Sequence, residues 1–156
     1  TARPQPENMN SLLKNVMKNF SPIIDRESIH VKTDIEEGLP IINLDKAQIS
    51  RALKNIVQNS IEALPKAGIL KITARAVNSA IRIVVEDFGI GIDEDKLGSI
   101  LDPFVTSKTT GAGLGLTMVY QIVMNHKGEI DIKSRGGKGT IVTIDLPLNL
   151  QPMMEE

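Results

Sequence analysis

The chain has 156 residues, the size of one ordinary domain, and its 41% hydrophobic content suffices for one substantial core. Its 18 basic and 19 acidic residues leave a net charge of −1, which excludes a global electrostatic attraction to nucleic acid or an anionic membrane and confines any phosphate affinity to local features. With no Cys and no Trp, one Tyr and three Phe, it has no disulfide scaffold, thiolate metal site or cysteine nucleophile, and few platforms on which single-stranded bases could stack.

Residues 1–7 hold two prolines and no periodicity, so 1–9 reads as a linker or chain edge, 10–148 as the folded domain and 149–156 as a frayed tail. Leu12, Leu13, Val16, Met17 and Phe20 recur at helical spacing until Ser21-Pro22 ends the run. Ile29, Val31, Thr33 and Ile35 then alternate with polar residues, a half-buried strand pattern closed by Gly38 and Pro40. A longer helix follows, capped by Asp45, with Ile49, Leu53, Ile56, Val57, Ile61 and Leu64 as its core stripe. Residues 70–76 and 80–87 alternate with period two around Asn78-Ser79 and read as an antiparallel hairpin. The pattern then breaks over 88–112, where glycines, a short helical stretch near 93–101 and a polar loop at 106–110 make a segment long enough to be functional. Helical spacing returns over 114–126, with Gly128 placed as a C-cap, and a last hairpin pairs 129–135 with 140–147 across a glycine-rich turn. Strands interleaved with crossing helices predict a two-layer α/β sandwich: a mixed, largely antiparallel sheet of about five strands on about three helices. No apolar run approaches the ~20 residues that span a bilayer, so a soluble fragment in a cytoplasmic setting is expected.

Residues that break these patterns mark the candidate site. Asp87 is in phase with Ile81, Ile83 and Val85, which puts a carboxylate on a strand face that should be buried. Burying it uncompensated costs several kcal/mol, so the protein or a ligand must supply donors. Gly89 and Gly91 let a flat group approach the backbone closely there, and an exocyclic amine would suit. Thr140 likewise heads the apolar row Val142, Ile144 and Leu146. Taken alone, Asp87 could equally cap the helix near 93 or pair with a core arginine, and Thr140 could simply favour a strand.

Gly111-Ala112-Gly113-Leu114-Gly115-Leu116 opens a helix whose unpaired amides and positive dipole end suit an anion, with Lys108 just upstream as a mobile cation. Such glycines also serve plain turns. They fit neither the dinucleotide fingerprint, which follows a strand, nor the Walker pattern, which closes with Gly-Lys-Ser/Thr. Asn55 and Asn59, four apart, share one helix face beside the apolar stripe. An amide oxygen plus nucleotide phosphates would suit Mg²⁺, although two solvated asparagines would fit the same spacing.

Together and in this order, these features resemble the Bergerat-type nucleotide-binding domain shared by sensor histidine kinases, type II topoisomerases, the ninety-kilodalton chaperones and mismatch-repair ATPases. Residues 55–60 are similar to that family's asparagine box, 87–92 to its first glycine box and 111–116 to its second. Asp102-Pro103-Phe104-Val105-Thr106-Ser107-Lys108 is similar to the phenylalanine box and lid of one kinase subgroup. The resemblance covers about 11–147. It implies ATP or ADP as ligand, with Asp87 accepting from the adenine amine, Thr140 joining through water, and Gly89, Gly91 and Ile92 flanking the ring. Thr106, Lys108, Gly111, Gly113, Leu114, Gly115 and Leu116 would line the lid and phosphates. Asn59 would ligate Mg²⁺, with Asn55 a second candidate ligand.

Asn55 stands where the superfamily's ATPases carry a glutamate that activates water, and an amide cannot be that base. The resemblance therefore implies a protein-histidine kinase, with Asn55 and Lys108 at the catalytic end of the pocket. Neither histidine sits in a phospho-acceptor setting: His30 lies in a strand's polar phase, and His126 ends a helix where relatives use histidine for packing and capping. The expected partners are thus a separate dimerisation and histidine-phosphotransfer domain and a response-regulator receiver domain, with no nucleic acid and a monomeric isolated fragment. An ATP-hydrolysing member, an anti-sigma-factor serine kinase and a non-catalytic nucleotide-binding module are the rival expectations. The family's phosphate-binding Lys or Arg beside the asparagine box is missing from 60–63, where Glu62 is acidic.

Overall fold

The computed structural model describes residues 1–88, 112–134 and 139–151, with 112–114 described by backbone alone. Period-two alternation becomes strands β1 (Gln5–Glu7), β2 (His30–Ile35), β3 (Ile42–Leu44), β4 (Ile69–Val77), β5 (Ala80–Asp87), β6 (Glu129–Ser134) and β7 (Thr140–Pro147). Helical spacing becomes α1 (Met9–Lys18), α2 (Ser21–Arg26), α3 (Lys46–Ala63) and α4 (Ala112–Asn125). Strands β2, β4, β5, β7 and β6 pair in that order into one five-stranded sheet, in which only β2 and β4 run parallel. The expected mixed, largely antiparallel sheet on a helical layer is the observed architecture.

Burial follows phase along each strand. Ile81, Ile83, Val85 and Asp87 are the buried set of β5, and Thr140, Val142, Ile144 and Leu146 that of β7. They meet Leu12, Leu53, Ile56, Ile72 and Val119 in one continuous core. Helix α3 lies centrally in the helical layer, packed against α1, α4 and β5. Among the described residues, no helix is long and apolar enough to cross a membrane.

Three expectations need correction. Residues 1–7 are not a structureless linker: β1 pairs antiparallel with β3, the Arg3 backbone N–H donates to Asp45 Oδ2 at 2.9 Å, and Gln48 Nε2 donates to the Thr1 carbonyl at 3.1 Å. Three-residue strands lack the length for an alternation signal, and Pro6 is tolerated because β1 is an edge strand. Helix α1 already ends at Lys18, and Ser21-Pro22 starts α2, since proline in a first turn forfeits only an amide that has no helical partner. The tail beyond Leu148 is anchored too: Asn149 bridges to Asn43 and Leu150 is buried, while 152–156 lie outside the described residues.

Asp45 caps α3 as expected, its Oδ1 accepting from the Gln48 N–H at 3.1 Å. Burial raises the affinity of this carboxyl for a proton. Hydrogen bonds from the Arg3, Gln48 and Ala47 amides outweigh it and hold the carboxyl below its ordinary 3.8. A carboxylate whose pKa is lowered by folding stabilises at neutral pH and loses that contribution as pH falls through the folded value. Asp45→Ala should therefore cost about 1 kcal/mol at pH 7. The gap from wild type should close as pH drops below 3.8 in paired denaturation curves.

The end of α4 also departs from expectation. Gly128 N donates to the Val123 carbonyl and Lys127 N to the Met124 carbonyl, both at 3.0 Å, a Schellman closure in which Lys127, not Gly128, takes the left-handed conformation at φ 55. Gly128 is required instead for space, because a Cβ there would meet the Asp145 carbonyl and the side chains of Leu146 and Val123. Lys127→Gly relieves the left-handed strain and should gain roughly 0.5–1 kcal/mol. That corresponds to about 2 °C in a thermal melt.

Candidate functional site

The end of β5 and the start of β7 form one edge of the site. Asp87 is 2% exposed and Thr140 6%, and the two are register partners across the antiparallel pair. The in-phase reading thus places both polar side chains on the core face, side by side. Gly139 holds this edge together in a way the sequence reading missed, having treated it as turn filler. It sits at φ 117, and a Cβ on it would fall against the Asp87 carbonyl oxygen and 2.9 Å from the Phe88 Cα. The only sequence signal was its place immediately before a strand that starts with a polar residue.

The second wall is the contact between α3 and α4. Asn55 and Asn59 lie on one face of α3, both half-buried, with Gly115 of α4 set against them. A Cβ at Gly115 would collide with Asn55 Oδ1 and lie 3.9 Å from Asn59 Nδ2. A glycine is therefore required here for close approach, and the second glycine run and the asparagine pair, read separately from sequence, meet in space. Asn55 Nδ2 donates to the Arg51 carbonyl over a long 3.4 Å. Asn59 Nδ2 is fully buried and has no hydrogen-bond partner among the described residues. A buried amide nitrogen without a protein partner is costly, which sets Asn59 apart from its neighbours on α3. Next along the helix, Ser60 is buried as well.

Of the remaining expected residues, Leu116 is buried in the core and contributes packing. Gly113 and Leu114 lie in the first turn of α4, described by backbone alone. Gly89, Gly91, Ile92, Thr106, Lys108 and Gly111 lie outside the described residues, as does the helical stretch expected near 93–101. Helix α4 itself begins at Ala112, and the first-turn amides of an α-helix have no partner within the helix. Neither histidine reaches the site: His30 is exposed on β2, and His126 is buried at the far end of α4.

A buried acid–hydroxyl pair at a sheet end, an amide pair against a glycine and a glycine-opened helix are the described parts of the candidate site. Residues 44–150 match the family described as histidine kinase-, DNA gyrase B- and HSP90-like ATPases, and the chain belongs to it. Sensor histidine kinases are among the individual proteins it resembles. It is 33% identical to the sensor histidine kinase ZraS of Escherichia coli (strain K12) over 94% of this chain and 31% of that protein. It is 31% identical to sporulation kinase E of Bacillus subtilis (strain 168) over 94% of this chain and 21% of that one. The chain thus spans a third or less of these relatives. The solved catalytic domain of histidine kinase ThkA, in a nucleotide-free form, superposes with a TM-score of 0.85 at 30% identity, covering 94% of this chain and 96% of that domain.

Proposed function

We propose that this chain is the ATP-binding catalytic domain of a two-component sensor protein-histidine kinase, holding Mg-ATP for phosphoryl transfer to a histidine on a separate dimerisation domain. The observation that carries the kinase reading is the amide of Asn55, set against Gly115, at the position where the resemblance to the superfamily's ATPases implies a water-activating glutamate. An amide takes no proton at neutral pH, so water gains no nucleophilic help from it. A pocket that grips nucleotide without activating water is suited to hand its phosphoryl group to an external nucleophile.

The remaining roles are those the family resemblance implies. Asp87, acidic and buried, accepts from the exocyclic amine of adenine, and Thr140 beside it joins through water. Asn59 offers its amide to Mg²⁺, and the residues fit this ion: the two ends of an amide exchange by a half-turn of the side chain, so an oxygen can face the phosphates. Mg²⁺, when bound, supplies charge neutralisation on the transferring phosphoryl oxygens. The amides of the first turn of α4 hold the phosphates, and Lys108 is the cation for the γ-phosphate end.

Two solved relatives support the ligand and the partner. Full-length ShkA, 26% identical with a TM-score of 0.84, was solved in complex with AMPPNP, and ThkA, 26% identical with a TM-score of 0.80 in that structure, was solved with the response regulator protein TrrA. We extend both to this chain, with a receiver domain as the downstream partner and the cytoplasm as its compartment. The test is a mixture of this domain, a cognate dimerisation fragment and γ-labelled ATP. Label should appear on histidine, acid-labile and alkali-stable. Tight nucleotide binding without any transfer would contradict the kinase reading and leave a binding module.

A further inference from the structure

His126 is 1% exposed and uses both ring nitrogens. Nε2 accepts from the Asp45 backbone N–H at 3.0 Å, and Nδ1 faces the Ile122 carbonyl at 2.8 Å. The first partner can only donate and the second only accept, which sets the proton on Nδ1. Asp45 is the N-cap of α3, while Ile122 and His126 belong to the last turn of α4. One side chain therefore joins the start of one helix to the end of the other, and Asn125 Nδ2 to Gln48 Oε1 at 3.5 Å runs alongside.

The two helices are antiparallel, with residues 125–126 beside 45–48 and Gly115 beside Asn55 and Asn59. Ten residues separate Asp45 from Asn55, so the histidine joint lies ~15 Å along the helix from the asparagine face. Each helix is stiff over that length. A shift at the joint is expressed at the other end, where Gly115 has no room to move toward Asn55.

Resting on the reading of that contact as a nucleotide site, we propose that His126 is a positioning residue for it. Its bond to the Asp45 amide sets the angle and axial register of α4 against α3. Through them it sets the approach of the helix amides to the Asn55 and Asn59 side chains.

The test compares His126→Gln with His126→Asn in this same domain. A glutamine oxygen reaches the place of Nε2 and keeps the link to Asp45, whereas an asparagine amide reaches only the place of Nδ1 and keeps the local bond to Ile122. Mg-ADP affinity of the Gln variant should stay within about twofold of wild type. The Asn variant should lose roughly 5- to 150-fold, the usual span of coupling between sites. Both are measured well below their melting temperatures, where a purely stabilising residue would leave the two affinities alike. Equal affinities therefore overturn the proposal.

Should the Asn variant fail to fold, the wild type decides. Coupling is reciprocal, so Mg-ADP should slow hydrogen exchange at the Asp45 amide severalfold beyond the change at core amides such as Ile72. No excess protection at Asp45 overturns the proposal. A wild type that binds no Mg-ADP removes the site reading itself, an outcome distinct from either.

Discussion

Asp87→Asn should weaken ADP binding roughly 10- to 150-fold, the loss of one charge-assisted hydrogen bond of ~1.5 to 3 kcal/mol. The substitution is nearly isosteric. It leaves the register of β5 against β4 and β7 intact, so the domain should melt close to wild type. What changes is the chemistry at a buried position, because an amide offers one acceptor where the carboxylate offers two charged ones. Calorimetric titration reads the affinity and a thermal melt reads the fold. Unchanged affinity in a folded variant would remove Asp87 from the adenine site.

Among the described glycines, Gly139→Ala should be the most damaging substitution, costing roughly 2–5 kcal/mol. Two effects act together. The residue sits at φ 117, where side chains are strained, and the added carbon falls on the Asp87 carbonyl, which is backbone and cannot rotate aside. Relief requires β7 to back away from β5 at the Asp87–Thr140 pair, so nucleotide affinity should fall along with stability. The melting temperature should drop on the order of 10 °C. Gly38→Ala is the control: Gly38 has φ 73 but nothing within 4 Å of its would-be Cβ, so only the backbone strain remains. Equal melting temperatures for the two variants would show that the contact with Asp87 is not what makes Gly139 necessary.

What was legible in the sequence tracks the length scale of each signal. The five-stranded sheet was readable because β4, β5 and β7 run eight or nine residues, long enough for alternation to stand out. The same phase that exposed the strands exposed the exceptions, and Asp87 and Thr140 were found because they were polar where the pattern required apolar. The pairing of β1 with β3 was not readable, since three residues carry no period and the contact spans some forty positions. Nor was the role of Gly115 beyond its place in a glycine run, because its reason is a side chain on another helix. His126 presented only as a residue at a helix end; its link to Asp45, 81 positions away, exists only in the fold. Gly128 was misassigned for a different reason: glycine is the usual left-handed terminator, and here its neighbour Lys127 takes that conformation while Gly128 serves space.

In the proposed site, the Asp87 edge and the Asn55–Asn59 face hold the two ends of one Mg-nucleotide. The most direct measurement is a calorimetric titration of this domain with ADP, with and without Mg²⁺, on wild type and Asn59→Ala. One-to-one binding that tightens with Mg²⁺ in wild type, and gains nothing from Mg²⁺ in Asn59→Ala, is the predicted result. No binding in wild type, or an equal benefit from Mg²⁺ in both proteins, would contradict it.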